Sequence, residues 1–260
     1  MSIENSYSVI LPTLNEVGHI NSLIEDISNI FEKFNIDYEI IIVDDNSEDG
    51  TVKEVLKIIN SRIKIHLRKK KRNLVDSLNE GIGISKKKNI IWMDADYSHP
   101  PYYIEQFIKL KDRNNFDIIV CSRFLKDSVR YYDIHNKKKA GIDLLSNFLN
   151  NICKIFLFSD FTDYTSGFIC IKKEVIKNFK LKGYYGDYFI NLIVNCKIGG
   201  YNILEIPFKE AKRASGNSKT TSSKLNLVIK CYFYFTALSK SIFQKIFKLS
   251  FLQMNKKDSF

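Results

Sequence analysis

Asp94 and Asp96 stand one residue apart, directly after the apolar run Ile90-Ile91-Trp92-Met93. Two hard carboxylate ligands at that spacing, projecting from the end of a strand, suit Mg²⁺ or Mn²⁺ bound together with substrate phosphates. Such an ion would neutralise a departing diphosphate. The pair alone is a weak signal, and its place at a strand end gives it weight. Three other apolar runs end in the same way, in Asn15-Glu16, Asp44-Asp45 and Ser122-Arg123. Each could singly be a turn former or a helix cap, the simpler reading for Ser47 and Asp49. Four such ends together point to a shared polar edge.

The elements that must position these groups alternate along the chain. Tyr7-Ser8-Val9-Ile10-Leu11-Pro12 reads as a buried strand, and Ile20, Leu23, Ile24, Ile27, Ile30 and Phe31 give helical spacing from about Glu16. A strand over 38–43 and a helix from about Thr51 follow. Next come a strand over 63–67, a helix over 74–85, a strand over 89–93, a helix from Pro101 and a strand over 117–121. Strand and helix in alternation, with nearly continuous apolar strands, predict an α/β chain with a mostly parallel sheet covered on both faces. Ligands of such sheets bind beyond the carboxyl ends of the strands.

Composition excludes several classes. The 260 residues are 45% hydrophobic, with only 4 Pro and 11 Gly and no fixed-period repeat. Disordered, fibrous and repeat architectures are out. Five widely spaced cysteines without a Cys-x-x-Cys pair argue against zinc and a disulfide framework, and for a reducing compartment. The amino terminus shows no basic segment leading into an apolar one, so a cytosolic or cytosol-facing location is expected. The net charge of +11 is uneven, because residues 208–260 carry 11 Lys/Arg against 2 Asp/Glu. That excess could serve nucleic acid, an anionic membrane or a phosphate-rich substrate.

Three ordered motifs, Pro12-Thr13-Leu14-Asn15-Glu16, Val43-Asp44-Asp45-Asn46-Ser47-Glu48-Asp49-Gly50-Thr51 and Met93-Asp94-Ala95-Asp96-Tyr97-Ser98-His99-Pro100-Pro101, together resemble inverting glycosyltransferases of the GT-A fold. Within that group they resemble dolichol-phosphate mannose synthases and their polyprenyl-phosphate relatives, over roughly residues 7–220. The resemblance implies that Pro12, Leu14 and Glu16 contact the nucleotide, and that Val43 and Asp45 hold the guanosine portion of GDP-mannose. It places Asp94, Ala95 and Asp96 at the metal and diphosphate, with Mg²⁺ or Mn²⁺ as cofactor. It sets Arg123 on the phosphates, and Arg213 and Lys219 on a loop that closes over the donor. Asp187 falls where related enzymes carry a general base; it could instead position groups or cap a helix. Catalysis would be one in-line displacement, with inversion at the sugar carbon. Two departures stand out. Arg72-Asn73-Leu74-Val75 replaces a glycine-rich turn, and Ser98 stands where a longer metal ligand is common and would reach the metal through water.

A lipid-linked acceptor requires membrane contact. The longest stretch free of Asp, Glu, Lys and Arg is 11 residues, 5–15, too short for a transmembrane helix. Contact would be peripheral, on the cytosolic face, directly or through an integral-membrane partner. Residues 140–158 and 225–252 are the candidate segments, although such stripes more often pack on a domain. The second places Lys240, Ser241, Gln244, Lys245 and Lys248 on one helical face and Leu238, Ile242, Ile246 and Leu249 on another, suiting a membrane interface. The expected organisation is a catalytic domain over 1–222 and a basic amphipathic tail over 223–260. The basic runs 68–72 and 86–88 read as solvated, although Arg68, Lys71 or Arg72 could reach the donor. They lack the interleaved aromatics of an RNA surface, so no nucleic acid partner is expected. A UDP-sugar donor, a glycan acceptor or a catalytically silent binding module are the competing readings.

Overall fold

The computed structural model describes residues 5–129, 137–214 and 224–257, with side chains described over 5–129, 145–214 and 228–248. Seven consecutive residues of β2 (Asp37–Asp44) and five of β1 (Ser6–Thr13) are buried, as strands covered on both faces require. Their side chains alternate between two layers. Val9, Leu11, Ile40 and Ile42 pack against α1 (Ile20–Lys33), α2 (Thr51–Val55) and α4 (Tyr102–Arg113). Ile10, Ile41 and Val43 share the opposite cluster with α3 (Leu74–Ile84), α7 (Tyr188–Ile198) and α8 (Lys224–Lys257). Each fully buried isoleucine contributes about 1.5–3 kcal/mol. Helix α3 lies so close to β1 that a Cβ on Gly81 would stand 2.6 Å from Ile10 Cγ2.

The seven strands run in the order β3 (Ile63–Leu67), β2, β1, β4 (Asn89–Trp92), β6 (Ile169–Lys172), β5 (Ile118–Ser122), β7 (Ile203–Pro207). All neighbours are parallel except β6, which is antiparallel to both β4 and β5. The carboxyl ends of β1, β2, β4 and β5 therefore share one edge, as the sequence predicts for the four polar strand ends. The remaining helices are α5 (Lys137–Phe156) and the single turn α6 (Lys173–Ile176).

Three expectations need correction. Helix α1 starts at Ile20 and not near Glu16, because residues 15–17 turn their amides to side chains of the next loop. Asn15, Glu16 and Val17 donate to Ser47 Oγ at 2.8 Å, Thr51 Oγ1 at 2.8 Å and Asp49 Oδ2 at 3.0 Å. The basic run 68–72 is not uniformly solvated: Arg68 is fully buried while Lys69, Lys70, Lys71 and Arg72 are exposed. In α8 the faces are partly exchanged. Ser241 is fully buried, whereas Phe243, Ile246 and Phe247 are exposed. The reason lies in what α8 packs on. Gln244 meets Asn191 and Asn195 of α7, and Lys245 Nζ donates to the Phe156 and Leu157 carbonyls at the end of α5.

Candidate active site

Consecutive residues of a strand face opposite ways, and at the end of β2 this separates Asp44 from Asp45. Asp44 is fully buried and accepts hydrogen bonds from Thr13 Oγ1 at 2.9 Å and from the Ser47 amide at 2.8 Å. It builds the loop. Asp45 turns to the cleft side and accepts from Arg68 Nη1 and from the Asn73 amide at 2.7 Å. Burial lifts its carboxyl above the usual range, while the Asn73 amide, Arg68 and Arg72 pull against that lift. Arg68 also reaches Glu80 at 3.2 Å and Asp76 at 3.6 Å, so the buried cation is matched by carboxylates. Exposed Arg72 bonds the Asn46 carbonyl at 2.9 Å and Glu48 at 2.6 Å. Where the resembling enzymes carry glycines, Asn73 caps α3, accepting from the Val75 amide at 2.8 Å.

Beyond β4 the chain makes a tight turn. The Asp94 amide donates to His99 Nδ1 at 2.9 Å, and His99 is stacked on Phe168 with ring centroids 5.0 Å apart. Tyr97 has a φ of 65°, a left-handed conformation uncommon for a bulky residue, and is pinned by its hydroxyl to Asp26 at 2.7 Å. Ser98 directs both its amide, at 3.0 Å, and its hydroxyl to Asp96. Arg213 Nη1 lies 2.6 Å from Asp96 Oδ2, and the Ala214 amide bonds the Asp96 carbonyl at 3.0 Å. Burial alone would raise the Asp96 pKa; the Arg213 charge and the Ser98 bonds outweigh it and hold the carboxyl below its ordinary value.

At the end of β5, Arg123 is held by Asp163. Its Nε donates to Asp163 Oδ2 and its Nη2 to Oδ1, both at 2.8 Å, with a further bond from Nη2 to Thr165 Oγ1 at 2.7 Å. Burial disfavours both charges, yet each stabilises the other, so Asp163 sits below the ordinary aspartate value. Asp163 is placed in turn by Glu205 of β7, which accepts from the Thr162 and Asp163 amides at 2.8 and 3.0 Å.

These ends converge on one cleft of about 540 Å³. Pro12, Leu14, Glu16, Asp45, Asp94, Ala95, Asp96, Ser98, Arg123 and Arg213 all line it. Val43 does not; its side chain is buried in the core. Asp187 is buried just behind the wall, where Oδ1 accepts the amides of Tyr184 at 3.1 Å and Tyr185 at 2.7 Å. Lys219 lies outside the described residues. Sequence reading missed Trp92, Tyr184, Tyr185 and Glu210 as lining residues. Trp92 could have been found, because it ends the strand that delivers Asp94; no local signal marks Glu210.

The arrangement sets carboxylates and guanidinium groups face to face along a cleft of ligand size, suited to phosphates and a cation. Comparisons with known proteins identify the family. Dolichol-phosphate mannosyltransferase of Pyrococcus furiosus is 30% identical over 216 residues, 82% of this chain and 58% of that protein, so the chain spans under two thirds of this relative. An uncharacterized protein of Methanocaldococcus jannaschii is 29% identical over 191 residues, 70% of this chain and 79% of that protein. Two crystal structures of glucosyl-3-phosphoglycerate synthase from Mycobacterium tuberculosis share the fold at 15% identity. The complex with Mn²⁺, UDP and phosphoglyceric acid has a TM-score of 0.66 over 91% of this chain and 78% of that one. The complex with Mg²⁺ and UDP has a TM-score of 0.62 over 88% and 80%. Residues 8–179 match the profile described as Glycosyl transferase family 2, and the chain belongs to that family, as a glycosyltransferase of the GT-A fold.

Proposed function

We propose that the chain transfers mannose from GDP-mannose to the phosphate of a polyprenol such as dolichol, at a membrane surface. The observation that carries this reading is one cleft lined by Asp94, Asp96, Arg123 and Arg213 together with the rings of Tyr184 and Tyr185. We assign Asp45, Arg72 and the β1 loop to the nucleoside, and Arg123, Tyr184 and Tyr185 to the acceptor. Asp94 and Asp96 would hold Mg²⁺ or Mn²⁺. The fit is supported by Arg213, a cation already seated 2.6 Å from Asp96. When bound, the ion supplies positive charge against the leaving diphosphate.

The chain's own residues bind and orient. Arg123, fixed by Asp163, presents Nη1 outside the bonds that hold it, a donor for an acceptor phosphate. A phosphate monoester is ionised at neutral pH and needs no base, consistent with an Asp187 carboxylate engaged by backbone amides. Ser98 positions Asp96 through two hydrogen bonds.

Membrane contact is supported by exposed apolar residues on two adjoining helices. On α8 these are Tyr232, Phe235, Phe243, Ile246 and Phe247; on α5, Phe148, Ile155 and Phe156. The basic excess of residues 208–260 suits an anionic lipid surface. Among the described residues no helix is long and apolar enough to cross a membrane. A second reading takes a UDP-sugar and a small phosphorylated acceptor, favoured by the UDP and phosphoglyceric acid of the fold neighbour's complex.

The test is mass spectrometry of products formed with Mn²⁺, vesicle-borne polyprenyl phosphate or free phosphoglyceric acid, and GDP-mannose or UDP-glucose in separate reactions. Mannosyl lipid phosphate, lost in Asp96→Asn, is expected. Product only from UDP-glucose establishes the second reading; no product and no nucleotide binding refutes both.

A further inference from the structure

Resting on the reading that the Tyr184 and Tyr185 end of the cleft receives the acceptor, we propose that α8 is a working part of that end. Tyr234 is its positioning residue, acting through Gly186. The turn over residues 183–187 belongs to no strand or helix, yet Tyr184, Tyr185 and Gly186 all line the cleft. From the α7 side the Asp187 carboxylate holds it, and the Phe189 amide donates to the Gly186 carbonyl at 3.2 Å. Lys71 Nζ lies over the Tyr184 ring, 5.6 Å from its centroid, and further support comes from α8. Phe233 stacks on Tyr184, with centroids 5.2 Å apart and planes at 19°, and meets Tyr185 edge-on at 6.0 Å. Lys230 Nζ lies over the Tyr185 ring, 4.9 Å from its centroid.

The Tyr234 contact is the tightest. Its hydroxyl bonds the Gly186 backbone, and a Cβ added at Gly186 would stand 2.5 Å from that oxygen. The next nearest atom, Cζ, would be 3.7 Å away, an ordinary contact. Glycine at 186 is therefore a requirement of the helix behind it and not of backbone conformation, because Gly186 is absent from the positive-φ residues. Helix α8 is itself seated by buried Leu238 and Ser241 and by the bonds of Gln244 and Lys245. Among the described residues the hydrogen bonds of the nucleoside end join β1, β2, β3 and α3, while Lys71 beside it lies over the Tyr184 ring. Where α8 sits thus shapes the acceptor end directly, and it meets the donor end through the contact of Tyr184 with Lys71.

The experiment is a two-by-two cycle of Gly186→Ala and Tyr234→Phe in the full chain. One readout is KM for vesicle-borne polyprenyl phosphate, set against Kd for GDP with Mn²⁺. The other, independent of activity, is hydrogen exchange of the Tyr184 and Tyr185 amides. Gly186→Ala should raise acceptor KM about 10-fold or more, as overpacking by one methyl does, and speed exchange in the turn. The GDP Kd should stay within about 2-fold. Tyr234→Phe alone should raise KM about 2- to 10-fold, the loss of one hydrogen bond. The double variant should return close to Tyr234→Phe, because the clashing oxygen is gone. Failure of that rescue in exchange overturns the proposal, as does an equal loss of GDP and acceptor binding. Rescue in exchange from a chain that makes no lipid product at all would uphold the contact and sink the assigned acceptor instead.

Discussion

Replacing Arg68 by Met should destabilise the protein by about 3–5 kcal/mol, the cost of removing one partner from a buried ion pair. The structure supplies the size. Arg68 has no exposed side-chain surface and serves Asp45, Ser77 and the Asn73 carbonyl from Nη1, Glu80 from Nε and Asp76 from Nη2. Its carboxylate partners differ in what they lose. Asp76 is half-exposed and Glu80 keeps His66 at 2.7 Å, so both retain water or a partner. Asp45 is buried, keeps the Asn73 amide and the more distant, exposed Arg72 charge, and already feels burial pushing its pKa upward. The stranded charge is therefore Asp45. For a chain of this size the loss corresponds to a melting point about 6–20 °C lower. Urea denaturation would measure it, and Asp45→Asn added to Arg68→Met should recover part of the loss without restoring nucleotide affinity. A single variant within about 1 kcal/mol of the parent, or a double variant no more stable than the single, would refute the reasoning.

Two further outcomes are expected. Arg213→Ala should tighten Mn²⁺ binding without nucleotide by up to about 5-fold, the ceiling of ~1 kcal/mol for a pair whose cation is 39% exposed. With GDP present the same variant should bind Mn²⁺ more weakly, and electron paramagnetic resonance of free Mn²⁺ reads both signs. Asp163 is depressed in the folded state because Arg123 outweighs its burial, so its stabilisation is complete well above the ordinary aspartate value of about 4 and is lost as pH falls below it through the lower folded value. Asp163→Asn should thus be less stable at pH 7, and should lose less stability than the parent between pH 5 and 3 in urea titrations.

Much of the architecture was legible because it rests on local pattern. Apolar runs ending in polar residues gave the strands, their common edge, and the place of Asp94, Asp96 and Arg123. Long-range pairing was not legible. Arg68 sits in a run of five cations that reads as solvated, and its burial depends on Asp45 at the end of β2 and on Asp76 and Glu80 of α3. Nothing in the residues of β6 says that it enters antiparallel between β4 and β5. The faces of α8 misled for a related reason. Amphipathic patterning assumes an apolar partner, and α7 presents Asn191 and Asn195, which draw Gln244 inward and leave Phe243 and Phe247 outside.

That inserted strand bears on how the cleft handles charge. Were β4 and β5 neighbours, Arg123 would stand beside Asp94 and Asp96 and neutralise the carboxylates a cation needs. With β6 between them the two strand ends are two spacings apart, roughly 9.5 Å, and Arg123 takes Asp163 as its own counter-ion. The cleft's other arginines are also paired, Arg72 with Glu48 and Arg213 with Asp96, as is Arg68 with Asp45 behind the wall. A phosphate can bind at a donor left outside a pair, such as Arg123 Nη1, or where a pair exchanges partners. Arg68 is sealed and Arg123 is held by two bonds to a fully buried carboxylate, so neither can leave. Arg72 pairs at the outer rim, away from the two aspartates. Among the described cations of the cleft, Arg213 combines exposure with contact to Asp96. Exchange of its Asp96 contact for phosphate oxygens would free that carboxylate at the moment a donor's negative charge arrives.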